Sequence, residues 1–215
     1  MSEQVSEFEN RGCTVVGSVL SDGELESAAQ FCGSVHPRGV GTRQLLSLRW
    51  CADLARSIRE KGAICALLGS SRTAVQCTLF VKDARRNWLV PLHRDFSIPV
   101  KARVASLDWS AWSVKEGVIY GRPPEFILQS LVAVRVHLDD TDAENGALQV
   151  VLGSHRPSQC TGARHTHVVP KGGALVMRPL LLHASSKLTT GTRRVLHFVY
   201  GPAQLPDAAE WANAV

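Results

Sequence analysis

From residue 71 onward the chain is a succession of short apolar runs separated by turn signals, and this pattern limits the fold more than any other feature. "LVAVRVHLDD" (131–140) alternates cleanly. Val132, Val134, Val136 and Leu138 fall on one face, and Leu131, Ala133, Arg135, His137 and Asp139 on the other. "TAVQCTLFVK" (73–82) is β-branched and apolar and predicts a strand. "ENGALQVVLGSH" sets Asn-Gly at a turn before a strand and a polar loop. "KGGALVMRPLLLHASS" has a Gly-Gly turn, a strand and a histidine closing an apolar run, and "TTGTRRVLHFVYGP" supplies a last strand. Many short strands at regular spacing predict a β-sandwich or barrel-like roll. Residues 101–122, aromatic and irregular, read as an insertion loop, and "PPEFILQSL" reads as a short helix with proline at its start.

The first 70 residues differ in character and predict a helical flank with one strand. "GCTVVGSVL" reads as that strand. In "SDGELESAAQFC", Ser21 and Glu24 have capping-box spacing, and Leu25, Ala28, Ala29 and Cys32 share a helical face. Helical periodicity runs from Leu45 to Leu68, broken near Gly62 and ending at Gly69. A chain of 215 residues, 45% hydrophobic and 20% charged, predicts a single domain. Here 1–70 is the flank and 71–204 the β core. The net charge of +5 is scattered over sites such as Arg85, Arg86, Arg193 and Arg194, so nucleic acid is not the expected partner. Six cysteines without CxxC or zinc-like spacing suggest a reduced, cytoplasmic chain. The acidic, polar start does not read as a signal peptide, and no apolar run approaches the roughly 18–20 residues of a membrane span.

Within this frame, "VPLHRDFSIPV" (90–100) places His93 and Asp95 two residues apart in an otherwise apolar run. Residues so spaced on a strand point to the same side. Burying both without partners would cost several kcal/mol. Two histidines and one carboxylate, with coordination positions left open, typify ferrous sites in non-haem oxygenases. His183, where "VMRPLLLHASS" runs into a loop, is the candidate for the third ligand. Arg193 or Arg194 follows on the next strand, and an arginine fork suits the far carboxylate of a dicarboxylate co-substrate. Alternation allows only one to face inward. If Arg193 does, Val195 and His197 go with it, while Arg194, Leu196, Phe198 and Tyr200 pack outward. That second set is apolar after its first member, as a helix-covered face should be, which favours Arg193.

The ordered set HxD, HLDD, NGAL, GSH, HASS and RRVLHF resembles the phytanoyl-CoA dioxygenase family of Fe(II)/2-oxoglutarate oxygenases. The resemblance runs through "LFVKDARRNWLVPLHRDFSIPV", "LVAVRVHLDDTDAENGALQVVLGSHR" and "GGALVMRPLLLHASSKLTTGTRRVLHFVYGP". It implies a mostly β fold with flanking helices, built on a double-stranded β-helix (jelly-roll, cupin-like) core. It implies His93, Asp95 and His183 as iron ligands and Arg193, or by a strict count Arg194, as the 2-oxoglutarate anchor. Gln76 and Ser185 match positions that often hydrogen-bond the co-substrate, and Trp112 is expected to wall the same pocket. The implied cofactors are Fe(II), 2-oxoglutarate and dioxygen. The implied reaction oxidises, usually hydroxylates, a small-molecule metabolite with release of succinate and carbon dioxide, a tailoring step in biosynthesis by family habit. Asp95 argues against halogenation, since halogenating relatives lack the carboxylate. Arg94, where glutamine is common, and "LGSH", where a proline usually precedes the glycine, depart from the family pattern without removing a ligand.

Other polar residues carry two readings each. Arg135, His137 and Asp139 line the substrate side of the pocket or form a buried network. Lys82 is a second basic contact or a strand-end cation. His155 fixes a loop or edges the site; His165 and His167 read as surface residues. Trp88, Trp109 and Trp112 bind an apolar substrate or close the barrel mouth. Two rivals stand beside the oxygenase: a cupin-like metal enzyme that uses no keto acid, and a non-catalytic binding module on the same fold. The sequence leaves the oligomeric state and the substrate open.

Overall fold

A computed structural model describes residues 3–35, 39–156, 162 and 164–215. Its flank contains α1 (Glu3–Arg11), β1 (Cys13–Val16), α2 (Asp22–Ser34), α3 (Arg49–Glu60) and α4 (Gly62–Leu68). The α2 capping box forms as expected: Ser21 N–H donates to Glu24 at 2.9 Å, and Glu24 N–H to Ser21 Oγ at 3.4 Å. In α3, Cys51, Leu54, Ala55 and Ile58 recur at helical spacing and are buried. Gly69, at φ +56°, ends α4 in a conformation that favours glycine.

The β core holds β2 (Thr73–Lys82), β3 (Val90–His93), β4 (Ile98–Val100), β5 (Ser110–Lys115) and β6 (Val118–Arg122), then the short helix α5 (Glu125–Ser130). It continues with β7 (Val132–His137), β8 (Leu148–Val151), β9 (Arg164–Thr166), β10 (Ala174–Met177), β11 (His183–Ser185) and β12 (Arg193–Gly201). A five-stranded sheet runs β1-β10-β7-β12-β2 and a four-stranded sheet β3-β11-β8-β9. All their pairings are antiparallel. Leu148 and Val150 of the smaller sheet meet Ala133, Leu175 and Met177 of the larger in one apolar cluster, so the two sheets face each other. This is the double-stranded β-helix, with helices flanking it.

The period-two pattern decides what each face meets. Val132, Val134, Val136, Leu196, Phe198 and Tyr200 pack with α3 and α4 in the largest apolar cluster. Burial of each such side chain contributes about 1.5–3 kcal/mol. Tyr200 also donates from its hydroxyl to the Ala55 carbonyl at 2.9 Å, tying β12 to α3. The opposite residues of β7 and β12, Arg135, Arg193 and His197, turn into the space between the sheets.

Two expectations need correction. Residues 101–122 are not simply a loop: β5 and β6 form a hairpin there, and β4 joins it in a third sheet, β4-β6-β5. Its two-residue turn is Glu116–Gly117, with φ +51° and +81°, the twist that suits a tight hairpin. The run 90–100 is also not one strand. β3 ends at His93, Asp95 lies in the connection, and β4 belongs to the third sheet.

Candidate metal centre

β3 and β11 are antiparallel neighbours in which His93 and His183 are register partners, with ring centroids 4.2 Å apart. Asp95 follows β3, and its backbone N–H donates to the Pro179 carbonyl at 3.0 Å. Its Oδ1 lies 3.7 Å from His93 Nε2 and its Oδ2 3.7 Å from His183 Nε2. One ligand atom from each residue falls within 4.8 Å of the other two, a span that one metal ion can bridge.

The imidazole tautomers are set by the backbone. His93 Nδ1 donates to the Pro91 carbonyl and His183 Nδ1 to the Leu181 carbonyl, each at 2.8 Å. A carbonyl can only accept, so in the neutral rings the protons sit on Nδ1 and both Nε2 lone pairs point toward Asp95. Burial lowers the His183 pKa despite the attraction of Asp95, which keeps the ring neutral and able to ligate. Burial works to raise the Asp95 pKa, but His183, His197, His93 and Arg135 outweigh it and hold the carboxyl below its ordinary value. Two neutral imidazoles and a carboxylate are a donor set that fits ferrous iron.

The three residues line a cavity of about 220 Å³ whose other charges are cationic: Lys82, Arg135, Arg193 and, at its edge, Arg43. Arg193 donates to the Gly146 carbonyl, and its Nε is buried without a partner, as are Arg135 Nε and Trp88 Nε1. Lys82 Nζ donates to Ser185 Oγ at 2.8 Å and to the Ser186 carbonyl at 2.5 Å, and lies 5.3 Å from the Trp88 ring centre. Burial, with Arg193 and Arg135 nearby, brings Lys82 down to about 7. Arg135 Nη1 donates to His197 Nδ1 at 3.0 Å; burial and that arginine push His197 down to about 3. Several buried donors facing a cavity with one carboxylate fit an anionic ligand.

The remaining sequence candidates separate. Arg193 and Ser185 line this cavity. Arg194 does not: it pairs with Asp139 at 2.7 and 2.9 Å. Gln76 lines a smaller neighbouring cavity and bonds Thr78. Trp112 lines neither, contrary to expectation; it stacks on Trp109 at 5.7 Å and covers Gly121. Of Arg135, His137 and Asp139, only Arg135 reaches the cavity. His137 is buried against Thr141, with Nδ1 2.6 Å from its hydroxyl. His155 packs beneath Gly12, where a Cβ would come within 2.4 Å of its ring. The surface reading of His167 is wrong: it is buried, 3.3 Å from Cys13 Sγ, and burial brings it to about 4. His165 is exposed as expected. Sequence reasoning missed Arg43 and His197 as cavity residues, although alternation had already turned His197 inward.

A His–Asp–His cluster between the sheets of a double-stranded β-helix defines the class of non-haem iron oxygenases. Residues 8–195 match the family model described as phytanoyl-CoA dioxygenase, and the chain belongs to this family of Fe(II)/2-oxoglutarate-dependent oxygenases. Solved structures share the fold. The carbocyclase SnoK from nogalamycin biosynthesis is 17% identical at a TM-score of 0.68, covering 94% of this chain and 85% of its own. HygX from Streptomyces hygroscopicus, with nickel and 2-oxoglutarate bound, is 19% identical at 0.66, covering 96% and 89%. EctD from S. alaskensis is 17% identical at 0.69, covering 94% and 77%. No curated protein matches by sequence. Among the described residues no helix is long and apolar enough to cross a membrane.

Proposed function

We propose that the chain, acting as a single domain, hydroxylates a small-molecule metabolite while 2-oxoglutarate is converted to succinate and carbon dioxide. In this reading His93, Asp95 and His183 hold ferrous iron, and Arg193 anchors the far carboxylate of 2-oxoglutarate. The observation that carries it is the convergence of three ligand atoms in a cavity whose other charged residues are cations. The cavity lies below the roughly 300–1,000 Å³ typical of drug-sized ligands, which suits a compact co-substrate. A HygX structure holding nickel, 2-oxoglutarate and hygromycin B supports a small-molecule substrate by analogy.

Iron, when bound, supplies the dioxygen chemistry coupled to splitting of the keto acid. The chain's own residues do the rest. His93 and His183 present fixed lone pairs, and Asp95 contributes the negative charge that favours a dication. Arg193 offers a fork to a carboxylate, and Lys82 holds Ser185 where its hydroxyl can meet the same ligand. Phe80, Trp88 and Leu148 supply the apolar part of the same wall. A reducing, cytoplasmic setting is part of the proposal, supported by five free cysteines among the described residues.

The test is succinate formation by the purified chain with iron and 2-oxoglutarate each supplied or withheld. The proposal expects turnover only with both, and its loss in His93→Ala. Succinate formation unaltered in that variant overturns it. Metal-dependent activity without a keto acid would favour the cupin-like alternative, and failure to bind ferrous iron a non-catalytic module.

A further inference from the structure

A second cavity of about 110 Å³ shares Asp95, His197, Phe80 and Arg43 with the first. Its walls are mixed. Ile98, Leu131 and Val199 contribute apolar surface, and Gln76, Ser97 and Lys115 supply polar groups. The two cations here are not equivalent. Arg43 meets Glu116 through Nη1 at 3.3 Å and through its backbone N–H at 3.0 Å, so its charge is answered. Lys115, half-buried on β5, donates to the Ser97 hydroxyl at 3.1 Å and lies 4.7 Å from the Tyr120 ring centre. Among the described residues no carboxylate comes within 4.0 Å of it, and Asp95, which lines the same cavity, attracts it only from beyond that distance. Placing an ammonium at a cavity wall without a counter-ion in contact is costly, and a hydroxyl and a ring face offset it only in part.

We propose that this cavity receives the carboxylate of the substrate, with Lys115 as its counter-ion, so that the molecule oxidised is a small free acid rather than an ester, amide or thioester. The inference rests on the oxygenase reading above and adds the substrate class to it. With Asp95 committed to the metal in this reading, Lys115 is the cavity's cation without a paired carboxylate; one such cation matches one negative charge, and the small volume suits a carboxylate better than a phosphate ester. The apolar lining of Ile98, Leu131 and Val199 suits a short hydrocarbon body. Asp95 and His197, common to both cavities, put that body next to the candidate metal ligands.

Saturation-transfer NMR tests this on the full chain loaded anaerobically with ferrous iron and saturating 2-oxoglutarate, using propionate as probe and propionamide as its uncharged control. Propionate should bind in preference to propionamide. Lys115→Met should weaken propionate binding about tenfold or more, the worth of one charge-assisted hydrogen bond, and Lys115→Arg should restore it. Lys115→Met should melt no lower than the unaltered chain and keep its 2-oxoglutarate affinity. Equal binding of the amide, no propionate binding to the unaltered chain, or unchanged propionate binding in Lys115→Met overturns the proposal. Failure of 2-oxoglutarate to bind in the same samples would instead sink the oxygenase reading, and the acid assignment with it. Loss of acid selectivity with 2-oxoglutarate still bound sinks the acid assignment alone.

Discussion

Arg94, the residue between His93 and Asp95, donates through Nε to the Leu180 carbonyl at 2.8 Å. Its Nη2 reaches the Ser154 carbonyl at 3.0 Å. The residue that departs from the family pattern thus ties the segment bearing two candidate ligands to the segment that delivers the third. Arg94→Ala should lower stability by about 2–3 kcal/mol, the order of magnitude for losing charge-assisted bonds to backbone carbonyls. It should also weaken ferrous binding, because His183 loses its brace. Denaturant melts and an iron titration check both effects. Stability that falls while iron affinity stays put would confine Arg94 to the fold.

Adjacent arginines on β12 should behave differently. Arg193 faces the cavity, whereas Arg194 bonds Asp139. Arg193→Met should raise the KM for 2-oxoglutarate by at least about tenfold, the cost of one charge-assisted contact. Arg194→Met should leave that KM unchanged and lower stability by about 1–2 kcal/mol, as loss of a half-buried bidentate pair does. Steady-state kinetics and thermal melts of the two variants decide between the positions.

Lys82 should give 2-oxoglutarate binding a proton signature. Its folded value of about 7 lies below lysine's ordinary 10.5, because burial, Arg193 and Arg135 disfavour its charge. The unfolded chain therefore binds the proton more tightly, and this site's penalty on the ligand-free fold, full below about pH 7, is relieved as pH rises toward 10.5. A dianion in the cavity raises the folded value again. Binding near pH 8 should accordingly take up about one proton, read by calorimetry in buffers of different ionisation enthalpy. Lys82→Met should abolish the uptake, and uptake that persists in this variant would assign it elsewhere.

The third sheet depends on a glycine. A Cβ at Gly121 would lie 2.4 Å from the Trp112 ring, which is itself stacked on Trp109. Gly121→Ala should destabilise the protein by about 1–3 kcal/mol through overpacking. Because Trp112 lies outside both cavities, its effect on 2-oxoglutarate affinity should be small. Thermal melts and the 2-oxoglutarate KM of the variant provide the check.

Much of this architecture is legible along the chain. β2 occupies residues 73–82 as its β-branched pattern predicts, the Ser21–Glu24 capping box forms, and Arg193, which alternation and the apolar run after Arg194 together favour, is the one that lines the cavity. What escaped depends on contacts between distant segments or on weak turn chemistry. The β5–β6 hairpin turns at Glu116–Gly117, and a glutamate at positive φ gives no signal comparable to Asn-Gly. The run 90–100 divides between two sheets because pairing, not local preference, decides where each half goes. His167 sits in a polar, alternating stretch, and its burial beside Cys13, from a distant part of the chain, leaves no local trace. The placement of Lys115 without a paired carboxylate is likewise invisible until the hairpin brings it to Ser97 and Tyr120.

The central claim is that His93, Asp95 and His183 hold one ferrous ion, and an anaerobic ferrous titration of the unaltered chain and of His183→Ala tests it most directly. The account predicts one equivalent bound per chain, with an affinity loss in the variant exceeding the roughly 10–100-fold that removal of an outer hydrogen bond costs. No saturable ferrous binding by the unaltered chain, or equal binding by both proteins, would contradict it.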